Sequence, residues 1–115
     1  MRYVSKEFLS PCAHETGSIV CTIETPLVKD LYSYAIKQGA SITASVKVSD
    51  CHQHAIIDFN ADSEKSFNKR ISKLDKFIDE LVKFRHQMIE LQKNQVKDFA
   101  FRKLQLIEEG DWREN

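Results

Sequence analysis

The sequence predicts an α+β fold: a small antiparallel sheet in the order strand, helix, strand, strand, followed by one long amphipathic helix or a helical hairpin. Three observations predict it. Segments between residues 18 and 59 alternate apolar and polar side chains with period two and are rich in β-branched residues. From Ser63 to Glu109 there is no glycine and no proline, and apolar residues recur at three- and four-residue steps. Charge density changes along the chain: residues 1–61 hold five basic and six acidic side chains, residues 62–115 hold 12 and 11. A sheet region, 1–61, is thereby set apart from a solvated helical region, 62–115, within a single domain.

Residues 1–17 show no clean period. Tyr3, Phe8 and Leu9 fit at most a short edge strand, and Ser10-Pro11 and Gly17 mark a loop. In Ser18–Thr25, Ile19, Cys21 and Ile23 share one face, and Val20, Thr22 and Glu24 the other. That is a half-buried strand. Thr25-Pro26 reads as a helix start, with threonine as N-cap and proline at the first helical position. Leu27, Leu31, Tyr34 and Ala35 follow at helical spacing, and Gly39 fits the left-handed C′ position, so a helix is predicted over 26–38. Ile42, Ala44, Val46 and Val48 alternate with Thr43, Ser45 and Lys47. Residues 49–53 read as a turn, after which Ala55, Ile57 and Phe59 alternate with His54, Ile56 and Asp58. Two strands joined by so short a connection predict a hairpin.

The last element opens at Asp62 or Ser63, either of which suits an N-cap. One apolar line contains Phe67, Ile71, Leu74, Ile78, Leu81 and Met88; a second adds Phe77, Phe84, Leu91, Val96, Phe99 and Leu104. Asp79 with Lys83 and Asp98 with Arg102 stand at i,i+4 and support the helix. Unbroken, it spans about 70 Å, more than the diameter of a globule of this length, whose radius of gyration is about 13 Å. Either it breaks near Lys93-Asn94-Gln95 and folds back, or its stripe packs against another copy. Counting a heptad from Leu74 through Ile78 places Arg85, Gln92 and Gln95 in the seam, so a broad helix–helix face is expected rather than a leucine zipper. The tail from Gly110 to Asn115 reads as frayed, with Trp112 as an anchor.

Composition excludes several classes. With 17 basic and 17 acidic residues and 42% hydrophobic residues, the chain is neither disordered throughout nor a polyanion binder by global charge. No apolar run reaches the roughly 18 residues of a membrane span. Met1–Glu7 lacks the apolar core of a signal peptide, so a cytoplasmic location is expected. Three cysteines are an odd number, and free thiols are expected.

Candidate chemistry comes from three groups. Cys12, His14, Cys51, His52 and His54 carry zinc-ligand atoms, but without a C-x₂-C or H-x₃₋₅-H pair. The expectation is no metal, no cofactor and no thiol catalysis, with a zinc-stabilised or thiol-dependent module as an alternative. Lys65, Lys69, Arg70, Lys73 and Lys76 form a basic cluster on the last helix. It is a nucleic-acid alternative, weakened by Asp75, Asp79 and Glu80 beside it and by the lack of a nucleic-acid motif. Phe99 and Phe101 lie about 200° apart on a helix, so one is expected to be exposed. The leading expectation is a small, non-enzymatic protein-binding protein, an adaptor or inhibitor. It would act as a homodimer or higher homo-oligomer through Leu74, Ile78, Leu81, Phe84, Met88, Leu91 and Phe99.

Overall fold

The computed structural model describes residues 1–9, 17–50 and 53–113 of the 115-residue chain. Four strands, β1 (Arg2–Phe8), β2 (Ser18–Glu24), β3 (Thr43–Asp50) and β4 (Gln53–Asp58), form one antiparallel sheet in the order β1-β2-β3-β4. A 3₁₀ turn (Val28–Asp30) and a short helix, α1 (Ser33–Gln38), connect β2 to β3. The helix α2 (Glu64–Glu109) follows the sheet. The fold is therefore α+β, with a four-stranded antiparallel sheet and a long C-terminal helix. The chain divides into two compact units, Met1–Lys76 and Phe77–Asn115.

The sheet has one strand more than the period-two signal predicts. β1 pairs with β2 along its whole length, from Arg2 opposite Glu24 to Phe8 opposite Ser18. Its own residues do not alternate cleanly, because Tyr3 shares a face with Ser5 and Glu7, and Val4 and Phe8 share the other with Arg2 and Lys6. The ladder supplies what local pattern does not. Met1 closes it, donating from its amino group to the Thr25 carbonyl at 2.9 Å. Arg2 adds a cross-strand ion pair with Glu24 at 3.1 Å.

Thr25 is occupied in this closure and caps no helix. Its N–H donates to the Met1 carbonyl at 2.9 Å, and its hydroxyl approaches the same oxygen at 3.5 Å. The helix predicted over 26–38 is consequently two short pieces. The 3₁₀ turn ends with the Leu31 N–H on the Val28 carbonyl at 3.1 Å. Leu31 and Tyr32 are then extended (ψ 136° and 160°), and α1 begins at Ser33 without a side-chain cap. Three residues per turn do not propagate into an α-helix, and Val28, Asp30, Tyr32, Ser33 and Tyr34 are indifferent helix formers. Gly39 does take the expected left-handed conformation, at φ 83°.

β3 and β4 form the predicted hairpin, with a shorter connection than expected: Ser49 and Asp50 belong to β3, Gln53 to β4, and Asp50 pairs with Gln53. The register puts Ile19, Cys21 and Ile23 on one face with Ala44, Val46, Val48, Ala55 and Ile57. These side chains are half-buried or exposed, and none is fully buried. Among the described residues only Phe59 and Ala61 are buried, at 7% and 5% exposure. Both follow β4, where the ladder continues irregularly. Phe59 donates its N–H to the Ala44 carbonyl, the Asn60 side chain accepts the Ala44 N–H, and Ile42 and Ala61 exchange two backbone bonds.

α2 is one helix through Lys93, Asn94 and Gln95; the hairpin alternative is not realised. Its polar side chains do not use the predicted i,i+4 partners. Lys83 pairs with Glu80 at 3.4 Å rather than with Asp79, Lys93 pairs with Glu90 at 3.3 Å, and Arg102 donates to Gln105 at 3.3 Å. Neighbours three and four positions away are almost equidistant on a helix, so such surface pairs exchange at little cost.

Candidate functional site

The start of α2 is fastened by a reciprocal cap. Ser63 is the N-cap, its hydroxyl accepting the Ser66 N–H at 3.1 Å. The Ser66 hydroxyl in turn accepts the N–H groups of Ser63 and Asp62, at 3.0 and 3.1 Å. This is a capping box in which a serine takes the place usually held by glutamate or glutamine.

The basic cluster sits just beyond. Arg70 donates from Nε to the Asn60 carbonyl at 3.0 Å, and Lys73 donates to the Asp58 carbonyl at 2.7 Å. Lys73 also lies over the Phe59 ring, 5.0 Å from its centroid. Two of the five cations therefore hold the strand exit onto the first turns of α2, covering the buried Phe59. Lys65, Lys69 and Lys76 are exposed.

Cys12, His14, Cys51 and His52 lie outside the described residues. His54 is exposed on β4, opposite Ser49. That register puts it on the sheet face away from Cys21, which is a free, half-buried thiol on β2. No set of three or more His, Cys, Asp and Glu side chains comes together among the described residues.

The most conspicuous surface is the apolar side of α2. Leu81, Phe84, Met88, Leu91 and Phe99 are 51%, 64%, 60%, 63% and 63% exposed, and Ile78 is exposed as well; Leu74 and Phe77 are half-buried. α2 contains no buried residue. Phe99 and Phe101 are both exposed, where one was expected. No helix among the described residues is long and apolar enough to cross a membrane.

The described part of the tail expected to fray, residues 110–113, closes the end of α2; Glu114 and Asn115 lie outside the described residues. Gly110 is left-handed at φ 78°, its N–H reaches the Ile107 carbonyl at 3.1 Å, and the Asp111 N–H reaches the Leu106 carbonyl at 2.9 Å. This is a Schellman cap. It turns Trp112 back onto the helix, where the Lys103 ammonium lies 4.7 Å from the ring centroid. Phe99, Ala100, Arg102, Lys103, Leu106 and Trp112 line a shallow cavity of about 370 Å³ beside it. The neighbouring side chains that Trp112 needs could have been found in the sequence from Gly110 and the i,i+3 relation of Lys103 and Leu106.

No family model matches the chain, and neither does any curated protein or solved structure.

Proposed function

We propose that this chain is a small non-enzymatic protein-binding protein, an adaptor or inhibitor, that works as a homo-oligomer through α2. The observation that carries the reading is the unburied apolar side of that helix. Five large side chains between Leu81 and Phe99 are each more than half exposed. The non-enzymatic part rests on the sequence, which holds no nucleophile–base or cofactor-loop pattern.

An adaptor needs a second surface for its other partner. β1 is an edge strand that leaves Tyr3, Val4 and Phe8 exposed at 56%, 50% and 78%. Such an edge offers unpaired backbone groups and apolar side chains to an extended segment of another protein.

Light scattering on the purified chain tests the self-association. The expected molar mass is a multiple of 13.3 kDa, lowered to that of one chain by Phe84→Glu, with amide protection retained in β2, β3 and β4. A strict monomer at all concentrations would sink the reading.

A further inference from the structure

We infer that α2 pairs in parallel with α2 of a second copy, as a two-stranded coiled coil whose seam is Phe77, Leu81, Phe84, Met88 and Leu91. The inference rests on the self-association proposed above and adds its seam, its strand number and its direction.

The seam follows from spacing. A heptad stripe alternates steps of four and three residues. A stripe through Leu74 and Ile78 meets Arg85 and Gln92. Stepping through Phe77 instead gives Phe77, Leu81, Phe84, Met88 and Leu91 at steps of four, three, four and three, and every position is a large apolar residue. The same spacing reaches back in sequence to Leu74 and ends forward at Gln95 and Asp98. The stripe is uncovered in a single copy: Phe77 is half-buried and the other four are exposed.

Strand number follows from the flanks. Leu81 and Met88 take the a positions, and Phe77, Phe84 and Leu91 the d positions. Glu80 and Gln87 then stand at g, and Ile78, Arg85 and Gln92 at e. A narrow a/d stripe with polar flanks closes between two helices. Three or four helices need a wider apolar face that takes in e and g. Ile78 is the one apolar flank residue here.

Direction follows from charge. In a parallel pair a g residue faces the e residue five positions on in the other helix. Glu80 then faces Arg85 of the second copy, twice per dimer by symmetry, and Gln87 faces Gln92. In an antiparallel pair e faces e, so Arg85 meets Ile78, Arg85 or Gln92 and never an acid. Glu80 already pairs with Lys83 within its helix, and a carboxylate accepts from both cations. The occupant is a second copy because the seam is complementary to itself: its apolar stripe meets the same stripe, and Glu80 meets Arg85.

Disulfide trapping tests the direction. In full-length chain carrying Cys12→Ser, Cys21→Ala and Cys51→Ser, Phe77→Cys and Leu91→Cys are made separately and oxidised with glutathione disulfide. In a parallel pair each d residue meets its own counterpart, within reach of a disulfide, so both variants cross-link. The two positions are about 21 Å apart along the helix. In an antiparallel pair at most one of them can meet itself. Light scattering on the reduced variants guards against lost association. As a second measurement, Glu80→Arg and Arg85→Glu each weaken the dimer by roughly threefold or more, and the double variant recovers most of the loss.

A dimer that cross-links at both positions, with recovery in the double variant, is the expected result. A dimer that cross-links at one position or neither overturns the parallel seam and leaves self-association standing. A trimer or larger assembly overturns the two-stranded pairing. A strict monomer overturns this inference and the proposed function together.

Discussion

The two units of this chain are held together by different physics. In Met1–Lys76, side chains are spent on backbone. Asn60 accepts the Ala44 N–H, Arg70 and Lys73 donate to the carbonyls of Asn60 and Asp58, and Ser63 and Ser66 cap each other's turn. The two buried residues of the described chain, Phe59 and Ala61, lie inside this network. In Phe77–Asn115, α2 has no fully buried residue, and its polar side chains form i,i+3 pairs with their own neighbours. An isolated helix gains little from such pairs and owes most of its stability in proteins to packing of its apolar face. The first unit has a small anchor of its own. The second carries a large apolar stripe and no anchor, and a partner is the physical remedy.

Substitutions can break this contrast from either side. The largest effect is expected from Phe59→Ala, because Phe59 is the one large buried side chain among the described residues and carries the Lys73 contact. Loss of about 3–5 kcal/mol is expected, seen as collapse of amide protection across β3 and β4. If protection survives, the anchor of the first unit lies elsewhere. Gly110→Ala forces a Cβ into a left-handed residue at φ 78° and is expected to cost about 1–2 kcal/mol locally. Tryptophan emission reads it directly, shifting toward that of a solvated indole as Trp112 leaves Lys103. Ser63→Ala removes one half of the capping box and is expected to cost about 1 kcal/mol. Faster amide exchange should be confined to the first turn of α2. The smallest effect belongs to Glu24→Gln, which loses an exposed ion pair with Arg2. A change within about 0.5 kcal/mol in urea unfolding is expected, because backbone pairing, and not that pair, holds β1.

Much of the architecture was legible from local pattern, and the exceptions share one cause. β2, β3 and β4 alternate cleanly, and α2 announces itself by the absence of glycine and proline from Ser63 to Glu109. β1 was underestimated because its residues are chosen by a ladder to β2, a non-local constraint that Tyr3, Ser5 and Glu7 on one face do not reveal. The helix expected over 26–38 failed for the same reason. Thr25, which suits an N-cap, is bound to Met1 at the far end of that ladder. The basic cluster reads in sequence as a helix face with a nucleic-acid alternative; that Arg70 and Lys73 reach two carbonyls depends on where β4 ends, which helical spacing does not reveal. The apolar residues of the proposed interface are legible in composition, and the choice of seam among them turns on phase. Ile78 and Phe77 are adjacent, and only the latter continues through Phe84 and Leu91.

Self-association through α2 is read most directly from the molar mass of the full-length chain in solution across a range of concentrations. Pairing through α2 gives twice the 13.3 kDa of one chain, falling to a single chain when Phe84→Glu places a charge in the stripe. A single-chain mass for the unaltered protein at every concentration would contradict it.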